Sequence, residues 1–449
     1  MRILYFYLLR YCDPSYITHT KLIYENTEDL NDFAIGMTRH AIQTYLQFAA
    51  PMDFLNPSTK TGHNMYNYTM YLTLIDSLDT LYLMELPEYD LAKEAMKDAH
   101  FHYNQSISFF EMNIRIVGGL LGIYTLTTDQ LYLTKAQLFV DDILDTLNHS
   151  VIPYTFLNLV EKRGHYPKWT KRKAILSEFT TFQLEYFQLS KLTNNPKYRY
   201  YAEGIYDIIF GVPLKLKGLY PSFFNPINLT FVNSHLSVGA FGDSCYEYFL
   251  KYAILTKNKF YKMKFDESMF VVIQYFKSHG KLIQSHIEDK FDHLTCFLGG
   301  ILALSAFHFA EDQVATLHLE FAVKFTDYCW AHYNSQPTGL GPDISDNDFV
   351  AEDPWFNLRP ELAESVFYLY RITGEKKYLK INFKIMQRIQ LFCYSDTGYM
   401  SVNVIDGKKR DPQDSWFLSE TLKYLYLTFN DKLSLDEYVF TTEGHPIRQ

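Results

Sequence analysis

Residues 109–121 read FFEMNIRIVGGLL. Glu111 and Arg115 lie four positions apart in this otherwise apolar run, so they share one face if the segment is helical. A charged side chain is costly to bury without a partner, and the pair is therefore either a structural ion pair in a core or part of a functional site. The segment predicts a buried helix that carries both charges, and the rest of the chain must decide between the two roles.

Length, composition and charge exclude several classes of protein. The chain has 449 residues, 47% of them hydrophobic, which is enough for one large domain or several smaller ones. Its formal charge of −9 and its lack of a dense Lys/Arg run argue against nucleic-acid binding. No stretch after the N-terminal region approaches the roughly 20 uncharged apolar residues of a membrane span, so no clear span is expected.

The N-terminal region contains a short apolar run. Ile3 to Leu9 lies between Arg2 and Arg10, and no small-residue cleavage site follows it. The run is short for the apolar core of a secretory signal. Residues 1–30 are therefore interpreted as an N-terminal segment with a weak signal or anchor, preceding a single domain over residues 31–449.

A short sequence motif that ends in threonine recurs along the chain. Its copies end at Thr127, Thr193, Thr256 and Thr373, at intervals close to 60 residues or to twice that length. Each copy is typical of the end of one helix followed by a polar turn and a second helix, so one repeat holds two helices. A weaker copy lies near Phe307. An array over residues 31–430 would hold six or seven helical pairs. The period alone does not distinguish an open solenoid from a closed α/α toroid.

Polar and charged residues recur in apolar surroundings in many of these repeats. They are Glu111, Glu178, Asp243, His293, Glu361 and Glu420. Taken singly, Asp243 and Glu361 could be ordinary acids at helix starts, because Pro360 precedes Glu361 as it would at the first helical position. Taken together, the set favours inner helices that face one shared cavity. Carboxylates gathered from separate repeats imply a hard cation or acid–base chemistry.

The sequence lacks the motifs of several other catalytic classes. It contains no nucleophile elbow, no Walker loop, no dinucleotide-binding glycine run and no HExxH helix. Paired carboxylates without a nucleophile motif are what glycoside hydrolysis requires.

Seven motifs together resemble those of the class I α-1,2-mannosidases, glycoside hydrolase family 47. They occur in the family's order and extend over nearly the whole chain. The motifs are LTLIDSLDTL (72–81), FEMNIRIVGGLL (110–121), GDSCYEY (242–248), HLTCF (293–297), LRPE (358–361), LSETLKYLY (418–426) and FTTEGH (440–445).

The resemblance implies an all-α fold, an (αα)7 barrel with a short C-terminal β-hairpin entering it. It also implies bound Ca²⁺ and hydrolysis with inversion. Glu111 and Asp243 match the acid-side carboxylates, Glu361 matches the general base, and Thr442 matches the threonine whose oxygens hold calcium. Whether Glu111, acting through a water, or Asp243 delivers the proton is left open.

Further residues match the family's cavity residues, which bind sugar hydroxyls or calcium-bound waters. These are Arg115, Glu178, Glu247, His293, Arg359, Glu364, Trp416, Glu420 and Glu443. Cys296 and Cys329 match the family's disulfide pair, which needs an oxidising compartment. Trp416 replaces the usual phenylalanine, Cys245 replaces an aromatic residue and is expected to be a small buried thiol, and Asp343 replaces a glutamate.

Several details are most similar to the ER degradation-enhancing α-mannosidase-like (EDEM) branch. These include Val117-Gly118-Gly119 and Ser419-Glu420-Thr421, while Phe241 stands where the ER processing mannosidase has an arginine. The implied function is trimming of high-mannose N-glycans on misfolded glycoproteins in the endoplasmic reticulum lumen, with a protein disulfide isomerase-type oxidoreductase as a candidate partner. Two alternatives remain: a lectin-like factor with little turnover, and an ordinary N-glycan-processing mannosidase.

Overall fold

The computed structural model describes residues 27–148, 150–232, 235–283 and 290–449. The apolar run at Ile3 to Leu9 lies outside the described residues. The helices are Thr27–Phe48, Leu72–Leu83, Glu88–Met96, Phe109–Thr127, Gln130–Leu147, Leu176–Phe179, Gln183–Thr193, Lys197–Gly211, Asp243–Thr256, Lys259–His279, Leu298–His308, Ala315–Asn334, Glu361–Thr373, Lys376–Phe392 and Leu422–Thr428. The 3-10 segment His293–Phe297 precedes the helix Leu298–His308. Two π-helical segments lie at Met112–Val117 and Phe417–Thr421.

The strands are short and lie in the connections between helices. They are Phe54–Asn56, Thr61–His63, Ile107–Ser108, Phe156–Asn158, Arg163–His165, Ala174–Ile175, Phe223–Asn225, Thr230–Phe231, Lys290–Asp292, Ile344–Asp346, Ala351–Asp353, Trp355–Phe356, Tyr394–Ser395, Gly398–Tyr399, Ser401–Asn403, Lys409–Arg410, Tyr438–Phe440 and Pro446–Arg448. The antiparallel pairs include Trp355–Phe356 with Ser401–Asn403, Ser401–Asn403 with Lys409–Arg410, and Tyr438–Phe440 with Pro446–Arg448.

The chain divides into two compact units. Of the described residues, the first unit holds 27–65, 71–97 and 296–434, and the second holds 66–70, 98–295 and 435–449 apart from the gaps given above. Each unit is built from helical hairpins whose two helices are consecutive in the chain and in contact. The second unit has three such hairpins, which begin with Phe109–Thr127, Gln183–Thr193 and Asp243–Thr256. The first unit has three, which begin with Leu72–Leu83, Leu298–His308 and Glu361–Thr373, and in it Leu422–Thr428 also packs on Thr27–Phe48.

The recurring threonines end helices, as the repeat predicts. Thr127, Thr193, Thr256 and Thr373 are each the last residue of the first helix of a hairpin. Each hydroxyl donates to the carbonyl four residues back, at 2.6–2.8 Å. The next residue is left-handed in every case, with φ between 52° and 68°, which ends the helix and turns the chain toward its partner. The interpretation of one repeat as two helices is confirmed.

The two helices of a hairpin differ in burial. Asp243–Thr256 is buried from Ser244 to Leu255 without a break, whereas its partner Lys259–His279 buries only one face. The partner is amphipathic, as expected for a helix with water on its other side. The first helix of the hairpin is therefore the inner one, and Asp243 stands at its start.

The C-terminus forms the predicted β-hairpin. Tyr438–Phe440 pairs with Pro446–Arg448, with Val439 opposite Ile447. Thr441 and His445 close the turn by a backbone hydrogen bond of 2.9 Å, and Gly444 adopts the positive φ of 74° that the turn requires. The second strand packs on the helical residues Gly118–Thr127, so the hairpin tip is held against the second unit's own inner helix.

One helix among the described residues, Phe109–Thr127, is long and apolar enough to cross a membrane. Of its most apolar window, 72% is buried inside the protein, as in a core helix. It also carries Glu111 and Arg115, which lie in contact with each other.

Candidate active site

Arg115 joins two carboxylates in the second unit. Its Nε donates to Glu111 Oε2 at 2.7 Å, and its Nη1 donates to Glu443 at the tip of the C-terminal hairpin. Arg115 and Glu443 are each 4% exposed, while the Glu111 side chain retains 28% exposure. The pair is thus a real ion pair, and it also fixes a partly exposed carboxylate that can meet a ligand.

The local backbone explains how Glu111 is positioned. The Ser108 hydroxyl caps the helix by accepting the Glu111 N–H at 3.2 Å. The following residues, Met112–Val117, are π-helical, a rare form that is frequent at functional sites. Glu420 lies in the other π-helical segment, Phe417–Thr421, in the first unit.

Glu178 is a second carboxyl group close to Glu111. Burial raises the pKa of Glu178 to about 7, the Thr155 hydrogen bond lowers it, and the charge of Glu111 raises it. Its Oε2 is buried and has no hydrogen-bond partner among the described residues. A carboxyl group with a pKa near 7 can hold or release a proton at physiological pH, which suits an acid–base site.

Asp243 begins the inner helix Asp243–Thr256, and its Oδ1 accepts the Ser244 N–H at 2.8 Å. The chain approaches it through Gly242, where a Cβ atom would lie 2.3 Å from the Ser237 carbonyl oxygen. No larger residue fits there without moving backbone. Phe241, just before, is left-handed with φ 73°, and its carbonyl accepts the N–H of Ser177, the neighbour of Glu178.

The hairpin tip makes a hydrogen-bond network with the same inner helix. The Thr442 hydroxyl donates to Glu247 Oε2 at 2.8 Å, and Lys251 donates to the other oxygen of Glu247. The Tyr248 hydroxyl accepts the Thr442 N–H at 3.3 Å and donates to Glu185 Oε1 at 2.6 Å. Glu247, Tyr248 and Lys251 are all buried.

Sequence reasoning missed Glu185, Tyr248 and Lys251 as members of this network. Tyr248 ends the motif GDSCYEY and Lys251 follows three positions later, but an aromatic residue and a lysine in a helix have many ordinary roles. Burial raises the pKa of Glu185 to about 7, against the lowering effect of the Tyr248 hydroxyl. The available signal was a glutamate between Leu184 and Tyr186 in the helix Gln183–Thr193.

The donors around Thr442 fit a hard cation. The Thr442 hydroxyl, the Glu247 carboxylate and the adjacent Glu443 offer oxygen only, which is the donor type that calcium prefers. Among the described residues, no three His, Cys, Asp or Glu side chains are grouped closely enough to bind a metal ion directly. The arrangement is therefore compatible with an ion held by threonine oxygens and water, and not with a cage of carboxylates.

The first unit contains the arginine and tryptophan of the predicted site. Arg359 Nε donates to Asp343 Oδ1 at 2.5 Å and Nη2 donates to Asp343 Oδ2 at 3.3 Å, a two-pronged ion pair. The Arg359 guanidinium lies 5.8 Å from the centre of the Trp416 ring. Glu361 follows two residues later as the first residue of its helix and is partly exposed.

Asp343 lies in residues 336–354, a segment whose Pro, Gly and aspartate content is typical of a solvated surface loop, but the structure differs from that expectation in part. Leu340, Gly341 and Pro342 are buried, and Ile344–Asp346 pairs with Ala351–Asp353 as a hairpin. The composition suggested solvent exposure because a paired aspartate cannot be told from a free one by sequence.

The remaining predicted residues are buried polar groups. Glu364 accepts the Tyr424 hydroxyl at 3.4 Å, and both Glu364 and Glu420 are nearly inaccessible. His293 is 1% exposed and begins the turn His293–Phe297. The first unit also contains a fully buried pair that sequence reasoning did not single out, Lys423 and Asp79 at 3.0 Å.

The cysteines divide into a bonded pair and two buried thiols. Cys296 and Cys329 are joined, with Cα atoms 5.8 Å apart. Among the described residues, Cys245 and Cys393 are free, and burial raises the pKa of both thiols. The prediction that Cys245 is a small buried thiol is confirmed.

Comparison with known proteins gives the family and the fold. The sequence profile described as "Glycosyl hydrolase family 47" matches residues 37–449. The human "Endoplasmic reticulum mannosyl-oligosaccharide 1,2-alpha-mannosidase" is 36% identical over 92% of this chain and 63% of the human protein. The Arabidopsis thaliana "Mannosyl-oligosaccharide 1,2-alpha-mannosidase MNS1" is 35% identical over 91% of this chain and 77% of that protein. The chain thus spans less than two thirds of the length of the human relative.

A solved structure confirms the fold class. The "alpha-1,2-mannosidase from Trichoderma reesei" matches with a TM-score of 0.84 and 24% identity, over 94% of this chain and 99% of that chain. The predicted all-α fold, the (αα)7 barrel, is the fold of that protein. With the profile covering nearly all described residues and relatives above 30% identity, the chain belongs to glycosyl hydrolase family 47.

Proposed function

We propose that this chain is a calcium-dependent α-1,2-mannosidase that trims high-mannose N-glycans of glycoproteins with inversion at the anomeric carbon. The observation that carries the proposal is the surroundings of Glu111. Arg115 holds this partly exposed carboxylate, and beside it lies Glu178, whose pKa is about 7. Glycoside hydrolysis uses carboxyl groups that lie in different surroundings, because one acts as an acid and another as a base. The names of the relatives supply the linkage and the oligosaccharide.

An inverting hydrolysis needs one acid and one base. The acid protonates the departing glycosidic oxygen, while the base removes a proton from the water that attacks the opposite face of the sugar. Glu361, a partly exposed residue at a helix start, is proposed as the base. The acid is Glu111, acting through a water, or Asp243, the first residue of its inner helix.

The other residues that match the family's cavity residues are proposed to bind sugar hydroxyls or calcium-bound waters. Trp416 would stack on a sugar face, and Arg359 is held in place for hydroxyl groups by Asp343. The residues proposed to make hydrogen bonds in the cavity are Arg115, Glu178, Glu247, His293, Glu364, Glu420 and Glu443. Thr442 would hold calcium through its oxygens, and the bound ion would supply a fixed positive charge that orients sugar hydroxyls.

Two cellular roles follow from this activity. The relatives reported above are named mannosyl-oligosaccharide 1,2-alpha-mannosidases, one of them of the endoplasmic reticulum, which favours ordinary glycan trimming in the early secretory pathway. The EDEM-like details and Phe241 favour trimming of misfolded glycoproteins for degradation in the endoplasmic reticulum. The bonded Cys296 and Cys329 support an oxidising compartment, where a protein disulfide isomerase-type oxidoreductase would form the bond.

The decisive experiment is digestion of a purified Man9 glycan with and without a calcium chelator. Mannose release that the chelator abolishes supports the proposal, and identification of the product isomers gives the branch. Tight glycan binding without mannose release would replace the proposed mannosidase activity with the lectin-like alternative. Equal rates on free glycan and on a misfolded glycoprotein would assign ordinary processing, while a clear preference for the misfolded protein would assign the degradation role.

A further inference from the structure

The second unit carries a short basic loop at residues 166–173, which read YPKWTKRK. Its cations are Lys168, Lys171, Arg172 and Lys173, of which the first three are exposed and the last is half-buried. Within the part of the chain that the structure describes, none of these four side chains forms an ion pair, a side-chain hydrogen bond or a ring contact. Like charges this close repel one another unless an anion neutralises them. The basic loop therefore presents charge for which the described chain supplies no anion.

The cations of the preceding hairpin behave differently. Lys162 pairs with Asp145, and Arg163 pairs with Glu161. Carboxylates are thus present on this side of the unit, and they serve the hairpin. The cations of the basic loop are left to meet an anion from outside the chain.

The backbone of the basic loop is held in a turn that its sequence does not favour. Lys171 and Arg172 are both left-handed, with φ of 54° and 59°, and the Lys173 N–H donates to the Thr170 carbonyl at 3.3 Å. Two consecutive positive φ values with that hydrogen bond make a type I′ turn, in which Asn-Gly is preferred. The Thr170 hydroxyl also accepts the Lys173 N–H at 3.1 Å and donates to the Lys173 carbonyl at 2.8 Å. Local hydrogen bonds therefore fix a turn whose two central residues are strained, and both of those residues are cationic.

An exposed tryptophan lies in the same loop. The Trp169 side chain is 62% exposed, and the centre of its ring lies 5.6 Å from that of Phe241 and 6.2 Å from that of Phe223. Phe241 and Phe223 are half-buried, with ring centres 5.9 Å apart. These three rings and the four cations of the basic loop are called the basic–aromatic surface below. An exposed indole ring beside cations fits a partner that has both apolar and anionic groups.

The basic–aromatic surface adjoins the segments that carry residues of the proposed active site. The basic loop leads directly into Ala174–Ile175, which pairs with Phe223–Asn225 and is followed by the helix that holds Glu178. Phe241 lies two residues before Asp243. A partner that contacts the surface is therefore held beside the chain segments that lead to Glu178 and Asp243.

The chemistry of the surface favours an acidic polypeptide. Four cations in one loop are too small a footprint for a nucleic acid in a chain with a formal charge of −9. A single phosphate is usually held by donors that converge on one point, whereas these cations are spread along a loop. The glycoprotein substrate of the proposed function carries its polypeptide covalently linked to the glycan. A segment of that polypeptide therefore meets the surface at a raised effective concentration whenever the glycan is bound.

We propose that the basic–aromatic surface binds an acidic, aromatic-containing polypeptide segment of the glycoprotein whose glycan is being trimmed. Carboxylates of the segment pair with the four cations of the basic loop, and an apolar side chain packs on Trp169. The surface adds affinity for the protein part of the substrate and has no part in the hydrolysis of a free glycan. The inference rests on the proposed mannosidase function, since it assigns the contact with the rest of the same substrate.

The test compares two glycopeptides that carry the same Man9 glycan. One has Asp, Glu and Phe on both sides of the glycosylated asparagine, and in the other each acid is replaced by its amide. In about 10 mM salt, we expect the wild type to have a kcat/KM about tenfold higher for the acidic glycopeptide, which is the effect of several exposed ion pairs. In about 1 M salt the Debye length falls from about 30 Å to about 3 Å, and the ratio should fall to about one.

The informative variant is Lys171→Asn combined with Arg172→Gly. Asn-Gly suits a type I′ turn, so the variant loses two charges and should unfold at a higher denaturant concentration than the wild type. It should lower the ratio of the two kcat/KM values at least about threefold and leave kcat/KM for free Man9 unchanged. The matched control is Lys60→Asn combined with Lys257→Gly, which makes the same replacements at two other exposed, left-handed lysines, with φ of 57° and 55°. Lys257 follows the opposite end of the helix that Asp243 begins, and the control should keep the wild-type ratio.

The outcomes separate the surface from the enzyme activity. A wild-type ratio of one in low salt, or a ratio that the Asn-Gly variant leaves unchanged, overturns the surface. Sedimentation with phosphatidylserine vesicles that the variant loses, without binding of the acidic peptide, overturns it in favour of a membrane. If the wild type releases mannose from no substrate, the mannosidase function fails. Fluorescence anisotropy with the unglycosylated acidic peptide then tests the surface alone: binding at least about threefold weaker in the variant supports it, and equal binding overturns it.

Discussion

Arg115 Nε lies 2.7 Å from Glu111 Oε2 inside the helix that the sequence first singled out. The arginine is 4% exposed and also bonds Glu443, so one side chain joins the inner helix to the tip of the C-terminal hairpin. A structural ion pair and a functional site are therefore not alternatives here. The same contacts orient Glu111 and fix the turn that carries Thr442.

Arg115→Leu should destabilise the protein strongly. Removing one partner of a buried pair leaves two uncompensated carboxylates, at a cost of about 3–5 kcal/mol. The matched control is Arg199→Leu, which removes a partly exposed pair of the same residue types with Glu203 at 3.0 Å and should cost less than about 1 kcal/mol. Denaturant unfolding of both variants measures the difference. Similar losses would mean that burial does not strengthen the Arg115 contacts.

Glu361→Gln should reduce kcat by at least about 100-fold, because general base catalysis is lost while the side chain keeps its shape. Calcium binding should be retained, since no calcium-binding role is assigned to Glu361. Glu375→Gln is the control: it alters an exposed glutamate at the start of the next helix and should leave kcat unchanged. Wild-type turnover in the Glu361 variant would remove Glu361 from the role of base.

Glu178 should make stability depend on pH. Its pKa is raised from 4.5 to about 7 in the folded protein, so the folded state holds a proton that the unfolded state releases between these values. Its contribution is complete below pH 4.5 and is lost as pH rises through 7. The wild type should therefore lose up to about 1.4 kcal/mol per pH unit in this window relative to Glu178→Gln. Parallel unfolding free energies of the two proteins from pH 5 to 7 would contradict the shift.

Thr442→Val should weaken calcium binding, because it removes the hydroxyl that bonds Glu247 and leaves only the carbonyl oxygen as a donor. Calorimetric titration of the metal-free protein with calcium measures the loss, expected to be at least about tenfold. Thr373→Val removes one hydroxyl hydrogen bond at a helix end and should bind calcium normally. Equal affinities in all three proteins would place the ion elsewhere.

Peptide mapping under non-reducing conditions should recover a fragment that joins Cys296 to Cys329. Replacing both by serine should lower the free energy of unfolding by about 3 kcal/mol, since the bond closes a loop of 33 residues. The Cys393 thiol should remain unreactive in the folded protein because it is buried. Recovery of the two peptides separately, without reductant, would rule out the bond.

The sequence alone determined the helical repeat and the set of candidate site residues. Thr127, Thr193, Thr256 and Thr373 mark helix ends because a local hydrogen bond and a left-handed residue stop a helix, and both depend on nearby residues only. The C-terminal hairpin was expected from the family resemblance and not from a local pattern. The family motifs then identified Glu111, Asp243 and Glu361 together, which no single helix-start acid could do.

Tertiary structure alone decided which partners these residues have. Glu443 lies 328 residues from Arg115, and Thr442 lies 195 residues from Glu247, so no local pattern could pair them. The pKa of Glu178 follows from burial, and the ion pair between Asp343 and Arg359 turns an apparently exposed acid into a support for the site. Short-range chemistry sets where helices begin and end, whereas protonation and ion pairing depend on burial and on neighbours that only the folded chain supplies.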